Sequence, residues 1–211
     1  MRRLLPPLLL LMVLPLTAEG APSDCNAIVS MSQGRQVYNG QSGVGGPPAS
    51  PLEASTGEEW MLLLKSGKTL KWWTTASNWG TLGALHRCGT DAEIDQIVFI
   101  FDPFGSGRNN DDGTTMRIHL SQVLAITAER YPNAVTDLVL IVGSNGHVVC
   151  PGPIRASQSH AARIGQMTMP EAGPDIDVPC SEYTSPSGSL SSAGAAEANS
   201  DLAAWFVATN G

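Results

Sequence analysis

The chain has 211 residues, with 19 Asp or Glu against 12 Lys or Arg and a formal net charge of −7. So acidic a chain, with few cationic residues and no evident basic cluster, is a poor partner for nucleic acid or anionic lipid. The length suits one ordinary domain.

In chain order, the first feature is an export signal. Arg2 and Arg3 precede an apolar run from Leu4 to Leu16, and the small residues of Thr17-Ala18-Glu19-Gly20 follow. This is the layout of a cleavable signal peptide over residues 1–20. The run is shorter than the ~20 residues of a bilayer-spanning helix, and Pro6, Pro7 and Pro15 interrupt it. No later stretch is long and apolar enough to span a membrane. The expectation is a secreted, periplasmic or otherwise extracellular protein, with one domain over residues 21–211.

Cys25, Cys88, Cys150 and Cys180 make an even set in an exported chain, which reads as two disulfides. Three pairings are possible. The favoured one, Cys25–Cys88 with Cys150–Cys180, closes two loops that do not cross. A zinc site is disfavoured because no pair has the close spacing such sites use. No metal or other cofactor is expected.

Ala27–Met31 reads as a first strand, and the Gly, Ser and Pro of Gly40–Pro51 as a loop. Trp60–Leu64 and Thr69–Trp73 flank Gly67 and suggest a hairpin. Thr81–Arg87 suggests a short helix. Ile97–Phe101 is a continuous apolar run, the mark of a strand buried on both faces. Met116, Leu120, Val123, Leu124 and Tyr131 recur at the helical period, with Thr114 or Thr115 as cap and Pro132 beyond the end. Leu138–Val142 is a second buried strand, and Val148-Val149 could pair with it across Asn145-Gly146. Ile154–Ile164 suggests a helix, and Pro170–Ser189 reads as largely irregular. A last helix follows Ser191 or Ser192, with Ala198, Leu202, Trp205 and Phe206 facing inward. Buried strands alternating with amphipathic helices imply an α/β, three-layer sandwich with a mainly parallel sheet.

In such folds ligands bind where the strands end. Three segments qualify: Ser32-Gln33-Gly34-Arg35, the loop from Asp102 to Gly107, and Gly143-Ser144-Asn145-Gly146-His147. They offer a hydroxyl, a carboxylate, an amide and an imidazole, the groups acyl transfer uses. Of four histidines, only His147 follows a strand end directly; His86, His119 and His160 fall on expected helices. Trp60, Trp72, Trp73 and Trp79 cluster within twenty residues. Tryptophan mostly fills cores, but adjacent Trp72 and Trp73 on a strand would face opposite ways and leave one ring for a sugar.

The order of segments resembles the SGNH hydrolases, in particular the carbohydrate-esterase branch that includes sialate O-acetylesterase-like domains. Ile28-Val29-Ser30-Met31-Ser32-Gln33-Gly34-Arg35 is similar to the strand and loop that carry that family's nucleophile. Pro153-Ile154-Arg155-Ala156-Ser157-Gln158 is similar to an element before a late helix, and Ser189-Leu190-Ser191-Ser192-Ala193-Gly194 to the closing segment. The resemblance implies an SGNH-like fold and an esterase acting on acylated carbohydrate. Its motifs are degenerate here: Gly34 aligns with the nucleophilic serine, Ser189 with the catalytic histidine and Pro186 with its acidic partner.

Two functional expectations follow. In the first, Ser32 is the nucleophile, His147 the base, Asp102 its orienting carboxylate and Asn145 an oxyanion donor, with Trp72 and Trp73 contacting substrate and activity weak or lost. The ligand is a carbohydrate or small acyl ester. In the second, the chain binds a glycan or surface partner through the same face without catalysis. A third idea, a metal-dependent adhesion loop at Asp102-x-Phe104-x-Ser106, fails because Phe104 replaces a ligand.

Overall fold

The computed structural model describes residues 25–42, 50–101, 113–145, 148–149, 168–184 and 189–210. The signal segment over residues 1–20, and with it Asp102, His147, Cys150, Ile154–Ile164 and Pro186, lies outside the described residues.

The described strands form one seven-stranded sheet in the order β3-β2-β1-β4-β5, with β7 beside β5 and β6 on the end of β5. Strands β1 (Cys25–Ser30), β2 (Glu59–Leu64), β4 (Ile94–Phe101), β5 (Val135–Asn145) and β7 (Ala172–Pro179) run parallel. Strands β3 (Gly83–Leu85) and β6 (Val148–Val149) run antiparallel to their neighbours. The two buried apolar runs are adjacent parallel strands: Phe99 pairs with Leu138 and Ile100 with Val139. A pleated strand sends alternate side chains to opposite faces, which is why both faces of β1, β4 and β5 are apolar.

Each face has its own helical layer. Val29, Phe99 and Leu138 meet helices α3 (Leu70–Trp73), α4 (Ala76–Trp79) and α5 (Gly113–Arg130). Ile28, Val98 and Val139 meet α1 (Ser32–Asn39), α2 (Pro51–Thr56) and the last helix, α6 (Ser192–Asn210). The three-layer mainly parallel sandwich is therefore as expected.

The Cys25–Cys88 disulfide is present and ties the start of β1 to the segment after β3, across 63 residues of sequence. Closing a loop of that size restricts the unfolded chain by about 4 kcal/mol on the chain-entropy account. Cys180 is also disulfide-bonded; its expected partner, Cys150, lies outside the described residues.

Several local expectations are overturned. Trp60–Leu64 does not form a hairpin with Thr69–Trp73, because Leu70–Trp73 is a helix. Leu70 and Trp73 then share one buried face, where Trp73 meets Trp79 and Phe99 at ring distances of 5.4 and 5.5 Å. A strand would have put those two side chains on opposite sides. Thr81–Arg87 is not a helix: its centre is the exposed edge strand β3. Pro170–Ser189 holds β7, whose Ile176 and Val178 alternate inward while Pro174 is tolerated at low cost outside the sheet centre. Helix α5 starts at Gly113, so Thr114 and Thr115 lie inside its first turn rather than capping it. Asn145 pairs with Val148 and is a strand residue, not the first residue of a turn. At the last helix, Ser191 is the cap: its Oγ accepts from Gly194 N at 3.1 Å.

Candidate active site

The five parallel strands end on one edge of the sheet, and that edge is where this architecture places ligands. Strand β1 ends at Ser30, and Met31 with extended backbone leads straight into α1. The segment Ser32–Arg35 is thus the first turn of a helix rather than a loop. Ser32 is exposed at its start, while Gln33, Gly34 and Gln36 are buried. Ser32 Oγ donates to Gln33 Oε1 at 3.4 Å.

Gly34 sits on the face of α1 that packs against β1. Its N–H donates to Ser30 Oγ at 3.1 Å, and Ser30 Oγ donates to the Ile100 carbonyl at 2.8 Å. A Cβ at position 34 would overlap Ser30 Cβ and Oγ. Position 34 therefore has no room for a serine side chain. Ser32, two residues earlier, is the hydroxyl that the turn presents.

One residue that sequence reasoning missed draws the closing segment to this point. Gln36 sits one helical turn after Ser32, and its side chain is clamped on Leu190: Nε2 donates to the Leu190 carbonyl at 3.0 Å, and Oε1 accepts from Leu190 N at 2.9 Å. This holds Ser189–Ser191 against α1. Ser189 accepts from Thr184 N through its carbonyl at 2.8 Å. The i, i+4 spacing of Ser32 and Gln36 was a usable signal only once α1 was known to be a helix.

The remaining candidates divide. Asn145 ends β5 on the same edge. Asp102 and His147 lie outside the described residues, as does His160. Neither other histidine is beside Ser32. His86 follows β3 with left-handed backbone and stacks on Tyr38 at 5.8 Å, and His119 is half-buried on α5. Trp73 is fully buried and has no face for a sugar, as are Trp60 and Trp79. Trp72 alone of these four is partly exposed.

The opposite edge holds a cavity of about 340 Å³, lined by Asn26, Glu58, Gln96, Asp137, Phe206 and Asn210, among others. Asp137 accepts from Gln96 Nε2 at 2.6 Å, and Gln96 Oε1 accepts from Asn210 Nδ2 at 3.1 Å. Burial pushes the Asp137 carboxyl above the usual carboxylate range, and the Gln96 hydrogen bond opposes this in part. The folded state thus holds this proton more tightly than the unfolded chain does, so ionised Asp137 costs stability at neutral pH, a cost relieved as pH falls through the folded pKa. Asp137→Asn, which keeps an acceptor for Gln96, is expected to raise the melting temperature at pH 7. The gain should vanish near the unfolded carboxyl pKa of about 4. Thermal melts at both pH values check this, and a variant no more stable than the parent at pH 7 would refute it.

No helix among the described residues is long and apolar enough to cross a membrane, and no group of three or more metal-ligating side chains occurs among them. No family model and no curated protein sequence matches the chain. Among solved structures it is similar to an acetyl xylan esterase from the rumen bacterium Butyrivibrio proteoclasticus. The TM-score is 0.52 and the identity 10%, over 90% of this chain and 65% of that one. It is similar also to a family two carbohydrate esterase from Clostridium thermocellum, solved in complex with cellohexaose. There the TM-score is 0.53 at 10% identity, with 90% and 65% covered. The chain thus spans 65% of the length of each of these enzymes. At such identity the likeness speaks for the fold, which is the SGNH-like three-layer sandwich.

Proposed function

We propose that this chain is an exported, SGNH-type carbohydrate-ester domain whose attacking hydroxyl is Ser32 and whose turnover of simple esters is weak. The observation that carries this is the exposed Ser32 at the β1–α1 turn, on the edge where the parallel strands end. The Cys25–Cys88 bridge supports export, because such bonds persist in oxidising compartments.

In this reading Ser32 Oγ attacks the ester carbonyl as His147 takes its proton, with Asp102 orienting the imidazole and Asn145 donating to the oxyanion. The sugar alkoxide leaves with that proton, and water then cleaves the acyl-serine. Weak turnover follows from the closing segment. The position that aligns with the histidine of the resembled family is Ser189, so the proton must pass to His147 on a separate loop, which recovers only part of the roughly 10²–10⁴-fold that a positioned base contributes.

The purified chain should hydrolyse p-nitrophenyl acetate and an acetylated xylo-oligosaccharide slowly, and Ser32→Ala should remove that turnover. Turnover indifferent to Ser32→Ala would refute the assignment. Fast turnover would refute the weak site. Complete inactivity with retained glycan binding would favour the non-catalytic alternative, for which the half-exposed Trp72 offers a contact.

A further inference from the structure

The connection from β2 to α3 breaks the acidic character of the chain. All three lysines, Lys65, Lys68 and Lys71, fall within seven residues, and no Asp or Glu occurs from Trp60 to Thr90. The expectation of no basic cluster fails at this one place, and the place is the carboxyl edge of the sheet.

The geometry concentrates the charge further. The Lys65 and Lys68 ammonium groups lie 6.0 and 5.9 Å from the centroid of the Trp72 ring. Trp72 itself is fixed: its ring meets Trp73 edge-on at 5.0 Å, and its carbonyl accepts from Asn78 Nδ2 at 2.8 Å. Lys65 N donates to the Ser30 carbonyl at 3.0 Å, two residues before Ser32. Its ammonium has a single neutral acceptor, the Thr81 carbonyl at 3.3 Å. Among the described residues both ion pairs are made by arginine, and neither lysine is paired with a carboxylate.

Two uncompensated ammonium groups sharing one immobilised ring have more to offer an anion than a neutral hydroxyl. The ring orients the lysine heads by attraction to its face and leaves their remaining N–H donors pointing away from it. We propose that Lys65, Trp72 and Lys68 form an anion subsite that selects glycans carrying negative groups, uronate carboxylates or sulfate esters, beside the acyl group presented to Ser32. This rests on the carbohydrate-ester reading and narrows it from carbohydrate in general to acidic carbohydrate.

Direct binding, not turnover, is the readout. Calorimetric titration of the full chain with an oligogalacturonate, a sulfated oligosaccharide of equal length and neutral cellohexaose should favour at least one anionic ligand by about tenfold or more. The anionic ligand that wins identifies the group recognised. Raising salt from about 50 mM to about 500 mM should erase the preference, since exposed charges are screened over a few ångströms there. Lys65→Gln/Lys68→Gln should abolish the preference and Lys65→Arg/Lys68→Arg should keep it. Arg87→Gln, a charge lost at the other edge of the sheet, should leave it intact. Equal affinity for neutral and anionic glycans, or a preference that survives the Gln pair, overturns the proposal. Anionic binding without any ester hydrolysis keeps the subsite and sinks the esterase reading, whereas hydrolysis without anionic preference does the reverse.

Discussion

Val139→Asp is expected to leave the domain without a cooperative fold. Val139 is fully buried in the middle of β5, paired with Ile100 of β4. Its face packs in a buried apolar cluster with Ile28, Val98, Ile141, Ile176 and Leu202. Packing there is tight: a Cβ added at Gly173 would come to 3.1 Å from Val139 Cγ2. An ionised carboxylate at this point loses its hydration and gains no partner, a cost of several kcal/mol. A protonated one still buries an unsatisfied hydroxyl and carbonyl. Against a typical domain stability of about 5–15 kcal/mol, either loss is decisive once the apolar contacts are also gone. Val139→Ala, which only opens space, should cost about 2–3 kcal/mol and keep a sharp transition. Far-UV circular dichroism on heating separates the two. A cooperative melt of Val139→Asp near the parent temperature would show that this face of β5 is not enclosed.

Gly34→Ala should be nearly as damaging, although it adds one carbon. The new Cβ would overlap both Cβ and Oγ of Ser30 and reach 3.4 Å from Ile28 Cγ2. Helix α1 would have to lift from β1. Lifting it breaks the Gly34–Ser30 and Gln36–Leu190 hydrogen bonds together. A loss of about 3 kcal/mol or more is expected from overpacking plus the stranded polar groups. The cause can be isolated by a second change. Ser30→Gly removes both overlapping atoms, so Ser30→Gly/Gly34→Ala should cost less than the sum of the single changes, as coupled neighbours do. Strict additivity in denaturant titrations would place the damage elsewhere.

The central strands were legible because each is a continuous apolar run with buried faces on both sides, as in Ile97–Phe101. Helix α6 was legible because Ala198, Leu202 and Phe206 repeat at four-residue intervals. The peripheral elements were not. Strand β3 is exposed throughout and has no apolar pattern to show, and β7 buries only Ile176 and Val178 through a sequence that also holds Pro174 and two aspartates. Helix α1 was hidden because its buried residues are mainly polar: Gln33, Gln36 and Asn39 are enclosed along with Val37 and Tyr38. Periodicity weighs side chains by polarity, and here the polar ones face inward to hold backbone groups. The same masking hid the exposed position of Ser32 and the clamp at Gln36. The lysine group was plain in the sequence, but its meaning depended on Leu70–Trp73 being a helix.

The Gln36–Leu190 clamp also bears on when the molecule becomes competent. Its partners are 154 residues apart, and the neighbouring bond from Asn199 Nδ2 to the Val37 carbonyl spans 162. Contacts of such range bear a large closure entropy and form late, after local helices and adjacent strands. A ribosome that has released β1, α1 and β2 has made two of the five parallel strands that end on this edge, yet α1 still lacks the segment that seats it. The hydroxyl of Ser32 therefore reaches its final setting only when the last helix docks, so synthesis and assembly of this edge are separated in time by almost the whole chain.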